Sequence, residues 1–178
     1  MEYTTGGDGY PAFKFTQESD FSSTGDQFIH RPIANFSILV SVRPDSISGG
    51  MLFAVVNPAQ TIIQFGLEIT QSSSSVDNSD IILYYTDHLT AVETKKLVVF
   101  TVDSLFGNWS KLSISVKGDV VSLFLNCDEH STVRLTPGRV TPLNFEPGSV
   151  CYLAQGGPTF GRKFEVCSQP CGAWGLVR

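Results

Sequence analysis

Asn35-Phe36-Ser37-Ile38-Leu39-Val40-Ser41-Val42-Arg43 decides the fold class. Phe36, Ile38, Val40 and Val42 fall on one face at a period of two, while Ser37, Ser41 and Arg43 share the other with Leu39. A helix would instead repeat its apolar residues every three or four positions, so this is a half-buried strand. Pro44 ends the run, and Ser48-Gly49-Gly50 turns the chain into a second apolar run, Met51-Leu52-Phe53-Ala54-Val55-Val56.

The same pattern continues in both directions along the chain. Asn57-Pro58 breaks the second run, and Thr61 to Ile69 forms the next. Thr70 to Asp80 reads as a polar loop, with the low-complexity stretch Ser72 to Ser75 inside it, before Ile81-Ile82-Leu83-Tyr84-Tyr85-Thr86 resumes strand character. Leu97 to Val102 follows. Trp109 to Val116 and Val120 to Asn126 then flank Lys117-Gly118-Asp119, a hairpin signal. Leu112, Ile114 and Val116 alternate with Ser113, Ser115 and Lys117, giving one dry face and one wet face. After Cys127 the chain is turn-rich, with Pro137-Gly138 and Pro147-Gly148, and short strands are expected near Val150 to Leu153 and Phe160 to Val166. About a dozen short strands at this spacing predict an all-β, two-sheet sandwich.

The totals agree with one large β domain spanning residues 1–178. Hydrophobic residues make up 42%, with 13 Phe, so a core forms without needing disulfides. Charged residues are only 16%, against about 25% in average proteins, and Ser and Thr fill polar positions instead. A net charge of −5 argues against nucleic acid as the main partner, because phosphate binding needs a basic surface. No apolar stretch approaches the ~18 residues of a membrane-spanning helix. Met1 to Gly7 lacks a signal-peptide pattern, so a secreted chain starting here would be a fragment or would have lost its leader.

Few residues suggest catalysis. His30, His88 and His130 lie far apart and none sits in a nucleophile, zinc-protease or phosphate-loop motif, so surface or strand-end positions are expected. The sandwich architecture also hosts glycosidases, which need two carboxylates facing one cleft, and no single strand carries such a pair. Asp77-Asn78-Ser79-Asp80 and Asp128-Glu129 are oxygen-rich, but neither has a calcium-loop spacing, and no metal or cofactor is expected.

The remaining motifs concern an extracellular surface. Cys127, Cys151, Cys167 and Cys171 form no C-x-x-C pair, which disfavours zinc, and in an oxidising compartment they permit three disulfide pairings. Cys151, inside an apolar run, also fits a buried free thiol. Asn35-Phe36-Ser37 and Asn108-Trp109-Ser110 are N-glycosylation sequons. His30-Arg31, Lys95-Lys96, Arg134, Arg139 and Arg162-Lys163 are scattered cations. If Arg134, Arg139, Arg162 and Lys163 meet on one edge, that edge can bind a sulfated glycosaminoglycan despite the negative net charge.

Several stretches then resemble one family in order and spacing. Asp8-Gly9-Tyr10-Pro11-Ala12-Phe13-Lys14-Phe15, Gly50 to Val55, Ile82-Leu83-Tyr84-Tyr85-Thr86 and Trp109 with Leu112, Ile114 and Val116 carry the first half of the likeness. Val121 to Leu125 with Asn126-Cys127-Asp128-Glu129-His130, Glu146-Pro147-Gly148 and Leu153 to Gly157 carry the rest. Together, from about Gly9 to Glu165, they resemble the thrombospondin N-terminal-like (laminin-G-like) domain of collagen XV and collagen XVIII. The likeness departs at the end, where Val166-Cys167-Ser168-Gln169-Pro170-Cys171 precedes Trp174-Gly175-Leu176-Val177.

The resemblance implies an antiparallel jelly roll of the laminin-G/concanavalin type. It implies a non-catalytic, structural and adhesive module of a secreted basement-membrane-zone collagen, monomeric in isolation and trimeric in the parent chain. It also implies extracellular matrix proteins as partners, heparan sulfate as a further one, and a disulfide joining Cys127 to Cys167 or Cys171. A carbohydrate- or glycosaminoglycan-binding lectin-like domain is the alternative.

Overall fold

The computed structural model describes residues 2–24, 32–87, 89, 92–161 and 163–169. Among the described residues, thirteen strands build two antiparallel sheets. The first sheet takes β1 (Glu2–Thr5), β2 (Pro11–Phe15), β4 (Asn35–Pro44), β9 (Ser110–Lys117), β10 (Val120–Leu125), β11 (Asp128–Arg134) and β13 (Val166–Gln169). Its order is β1-β2-β13-β4-β9-β10-β11. The second takes β3 (Ser22–Thr24), β5 (Gly50–Val56), β6 (Ile63–Gln71), β7 (Asn78–Tyr85), β8 (Lys96–Asp103) and β12 (Val150–Leu153), in the order β3-β12-β5-β6-β7-β8. The late strands β12 and β13 return to pair with β5 and with β2 and β4, which gives the jelly-roll winding. None of the described residues forms a helix, so none of them crosses a membrane in that form.

The alternation that predicted β4 also builds the core. Phe36, Ile38, Val40 and Val42 face inward beside Leu112, Ile114 and Val116 of β9, in register from Phe36 opposite Val116 to Val40 opposite Leu112. Leu67, Ile69, Ile81, Leu83, Phe100 and Val102 of the second sheet meet them from the other side. Phe65 stands at the centre of an aromatic group, edge-on to Phe36 at 5.4 Å and tilted against Phe53 at 5.4 Å and Phe145 at 6.3 Å. Full burial of each such ring contributes about 1.5–3 kcal/mol.

A second apolar cluster covers the outer face of the second sheet. Met51, Ala54, Val56, Ile63, Ile82, Tyr84 and Tyr152 are buried there, with Phe160 packed on them. Gly157, at φ +78, lets the chain lie on Tyr152, because a Cβ there would stand 2.7 Å from the ring.

The structure corrects several predicted boundaries. The expected loop from Thr70 to Asp80 shrinks to 72–77, because β6 runs to Gln71 and β7 starts at Asn78. Ser79 is buried and its hydroxyl accepts the Leu105 amide at 3.1 Å, which holds this polar stretch in the sheet. The turn-rich reading after Cys127 missed β11, an edge strand with mostly exposed polar residues and no apolar alternation. The last strand is Val166–Gln169 rather than Phe160 to Val166. Its burial comes from neighbours on both sides, β2 and β4, a cause its own sequence does not display.

Candidate functional site

Among the described residues, two features outside the core are open to a ligand: the outer face of the first sheet and a cavity at one end of the second. On the outer face of the first sheet the register lines up three rows. Ser37, Ser115, Ser122 and Thr132 stand side by side across β4, β9, β10 and β11. The Ser122 and Thr132 hydroxyls lie 2.6 Å apart, and Thr132 donates to Glu129 at 2.7 Å. One flanking row holds Leu39, Ser113 and Phe124, and the other holds Asn35, Lys117, Val120 and Arg134. The result is a flat sheet surface with hydroxyls between an apolar edge and a basic edge.

The cavity measures about 360 Å³ and opens where β7 ends and β8 begins. Tyr85, Asp87, Lys95 and Lys96 supply one wall, with Leu97 beneath. Lys95 is positioned by its backbone, which donates to Thr86 Oγ1 at 2.9 Å and accepts the Tyr85 amide at 3.2 Å. Gly138, Arg139 and Thr141 supply the opposite wall. The turn Thr136-Pro137-Gly138-Arg139 explains their placement: Pro137 presets φ, Gly138 adopts φ +78, and the Arg139 amide donates to Thr136 at 3.2 Å. The Gly138 amide also donates to Asp119 Oδ1 at 3.2 Å, and Arg139 Nη2 donates to the Lys96 carbonyl at 3.3 Å. The Tyr85 hydroxyl bonds to Thr141, and burial pushes its phenol above the ordinary range, so it stays a proton donor.

The predicted basic residues are thus divided. Arg139 joins Lys95 and Lys96 at the cavity, and Arg134 lies on the open sheet face. Lys163 lies near the opposite end, three residues before Val166, which pairs with Pro44. Arg134 is in the row of Asn35, so the length of β4 separates the two by about 30 Å. Arg162 and Arg31 lie outside the described residues. The Lys95–Lys96 contribution was visible only as a dipeptide, since nothing local announced Arg139 as its neighbour.

Three of the four cysteines are described, and no disulfide joins any two of them. Cys151 is buried, and desolvation pushes its thiol up to about 12. Cys167 is buried on β13, where Arg43 donates to its sulfur at 3.3 Å and the thiol faces Asp45 Oδ2 at 3.6 Å. Burial first, then Asp45, pushes this thiol up as well. The same Arg43 pairs with Asp45 at 2.9 Å and stands 5.6 Å from the Trp109 ring centre. Cys127 is exposed in the turn between β10 and β11. The expected Cys127–Cys167 bridge is not formed: β4 and β9 intervene between β13 and β10. Three strand spacings amount to about 14 Å, twice what a disulfide spans. Cys171 lies outside the described residues.

Both sequon asparagines are exposed. Asn35 Oδ1 accepts the Gly118 amide at 3.0 Å, and Asn108 Nδ2 donates to the Phe106 carbonyl at 3.3 Å. Of the histidines, His130 is exposed on β11 beside Ser131, while His30 and His88 lie outside the described residues.

One carboxylate pairing escaped the single-strand reading. Glu68 of β6 is opposite Ile82 and Asp80 of β7 is opposite Thr70, so the two acids are diagonal neighbours on one face, about 7–8 Å apart. Tyr84 donates to Glu68 and Thr101 to Asp80, both at 2.7 Å. Register between strands created this pair, and no within-strand pattern could reveal it.

No family model matches the chain. Human collagen alpha-1(XVIII) chain is 31% identical over 131 residues, which is 74% of this chain and 7% of that one. The mouse laminin alpha1 LG4-5 domains superpose with a TM-score of 0.56 at 14% identity, covering 94% of this chain and 41% of theirs. The chain is a laminin-G-like domain related to collagen XVIII. The fold of this laminin-G-like domain is shared more widely, since a heptameric SAP-like pentraxin from Limulus polyphemus superposes with a TM-score of 0.59 at 14% identity. That match covers 89% of the domain's chain and 71% of the pentraxin's.

Proposed function

We propose that this laminin-G-like domain is a non-catalytic structural and adhesive module of a secreted basement-membrane-zone collagen, contacting other extracellular matrix proteins. The relation to collagen XVIII carries the reading. In this reading residues 1–178 are one module, monomeric alone and brought into trimers by the parent collagen. Cys127 pairs with Cys171, and Asn35 and Asn108 carry glycans.

The open face of the first sheet supports adhesion. The hydroxyl row through Ser115 and Ser122 offers hydrogen bonds to a protein surface without burying a charge, as suits an interface of mixed polarity. The non-catalytic side is supported by the relation to collagen XVIII.

The test is surface plasmon resonance of the secreted domain against purified laminin and other basement-membrane proteins. Saturable binding that weakens at least about tenfold in Ser115→Glu/Ser122→Glu is expected. No binding to any of them, or binding indifferent to the variant, overturns the assignment to this face.

A second reading, glycosaminoglycan or carbohydrate binding, is favoured by one observation: Lys95, Lys96 and Arg139 line a common cavity. Retention on heparin beyond physiological salt supports it, and elution well below that salt rejects it.

A further inference from the structure

We propose that the sugar attached at Asn108 is a structural part of the domain: its first N-acetylglucosamine packs on the Phe106 ring and fastens the crossover between the two sheets. The inference rests on the reading that Asn108 is glycosylated and goes beyond it by giving that glycan a seat. Attachment joins C1 of the sugar to Asn108 Nδ2, breaks the C1–O bond to a lipid diphosphate, which departs, and releases one amide proton.

β8 of the second sheet ends at Asp103 and β9 of the first begins at Ser110, so residues 104–109 carry the chain from one sheet to the other. This crossover is pinned on both sides of its crown. The Ser104 amide donates to the Asp77 carbonyl at 2.9 Å, the Leu105 amide to Ser79 Oγ at 3.1 Å, and the Gly107 amide to the Pro44 carbonyl at 2.8 Å. The Asn108 amide closes the turn on the Leu105 carbonyl at 3.3 Å, with Phe106 and Gly107 at its corners and Gly107 at φ +76. Asn108 Nδ2, the atom that takes the sugar, donates to the Phe106 carbonyl at 3.3 Å, and the one N–H that glycosylation leaves there can keep this bond. The sugar is thereby rooted beside the residue whose ring it covers.

The Phe106 ring is otherwise unoccupied. It is half-buried yet belongs to neither apolar cluster, and among the described residues no aromatic ring or cation engages it. Trp109, the other aromatic of this turn, is engaged: Arg43 stands 5.6 Å from its ring centre, and a Cβ on Gly7 would come within 2.8 Å of it. The space above the turn is open, since a Cβ on Gly107 would meet no atom within 4 Å. A β-linked N-acetylglucosamine turns its axial hydrogens at C1, C3 and C5 to one side, its apolar face. The electron-rich face of an aromatic ring attracts such hydrogens, and covering Phe106 also withdraws apolar surface from water.

The experiment is a double-mutant cycle on the secreted domain in an Asn35→Gln background, its glycan trimmed by an endoglycosidase to one N-acetylglucosamine. Urea unfolding compares this protein with Asn108→Gln, each with Phe106 or with Phe106→Ala. With Phe106 present, the single sugar is expected to raise the folding equilibrium constant about threefold or more; Phe106→Ala should abolish the gain, and Phe106→Tyr should retain it. In NMR spectra the ring current of Phe106 should move the sugar's H3 or H5 resonance upfield, and these spectra decide the matter where Phe106→Ala does not fold. A gain of equal size with and without the ring, or sugar resonances at free-sugar values beside Phe106, overturns the seat while sparing the glycan. A secreted protein whose mass shows no sugar on Asn108 removes the glycosylation reading and the inference together.

Discussion

The Ser149 hydroxyl donates to Gln64 Oε1 at 3.0 Å, joining positions 85 residues apart inside the sandwich. The same oxygen accepts the Glu146 amide at 3.2 Å, and Gln64 Nε2 donates to Glu146 Oε2 at 3.4 Å. The turn Glu146-Pro147-Gly148-Ser149, with Gly148 at φ +85, is therefore fastened to β6 through one buried amide. Gln64→Leu keeps the volume but strands the Glu146 amide, while the Ser149 hydroxyl keeps its shorter bond to the Glu146 carbonyl at 2.6 Å. A loss of about 1–3 kcal/mol is expected in urea unfolding. A change under about 0.5 kcal/mol would show that the clamp contributes little.

The β10–β11 turn yields a prediction of opposite sign. Asn126 and Cys127 both adopt positive φ, 51° and 77°, as the type I′ hairpin requires. Cys127 is strained there where glycine is not. Under reducing conditions Cys127→Gly should stabilise the domain by about 1 kcal/mol. In oxidised, secreted protein the same change should cost about 2–4 kcal/mol if Cys127 is bridged. Comparing unfolding with and without reductant reads both, and non-reducing peptide mapping names the partner.

Cys151 links burial to pH. Its folded-state value near 12 lies above the unfolded thiol, so the folded chain holds this proton more tightly. Its contribution is complete below about pH 8.5 and fades as pH rises toward the folded value. Tyr84, raised by burial and by Glu68, acts in the same direction. Stability measured by urea should therefore fall between pH 9 and pH 12, a window set by the Cys151 thiol. Maleimide labelling of the native, reduced domain at neutral pH should tag Cys127 and spare Cys151. Equal labelling of the two would contradict the burial of Cys151.

Expression through a secretory pathway tests the sequons. Asn35→Gln and Asn108→Gln should each remove one glycan's mass from the secreted protein, because both asparagines are exposed. An unshifted mass for either variant excludes that site.

Where local pattern and environment agreed, the sequence was a good guide. β4, β5, β8, β9 and β10 each alternate, or run apolar, for the reason that buries them, and their predicted spans differ from the structure by a residue or so. Legibility failed where burial comes from elsewhere. β11 is polar because it is an edge, and β13 is buried by two strands distant in sequence. The cavity was half legible. Lys95-Lys96 and Arg139 were visible as cations, but it takes the Asp119 anchor on Gly138 and the Arg139 bond to the Lys96 carbonyl, both long-range, to bring them together. Lys163 failed as a member because β4 is long and places it at the other end.

Two hydrogen bonds tie a sequon to the cavity rim. Asn35 holds Gly118, and the next residue, Asp119, holds Gly138. A glycan on Asn35 would therefore be rooted one peptide and two hydrogen bonds from a cavity wall. Its branches, where they end in acidic sugars, would compete at a high local concentration for the cations that outside ligands need. Glycoform, rather than sequence, would then set how open this domain is to acidic saccharides, and enzymatic trimming of the Asn35 glycan should raise its apparent affinity for them.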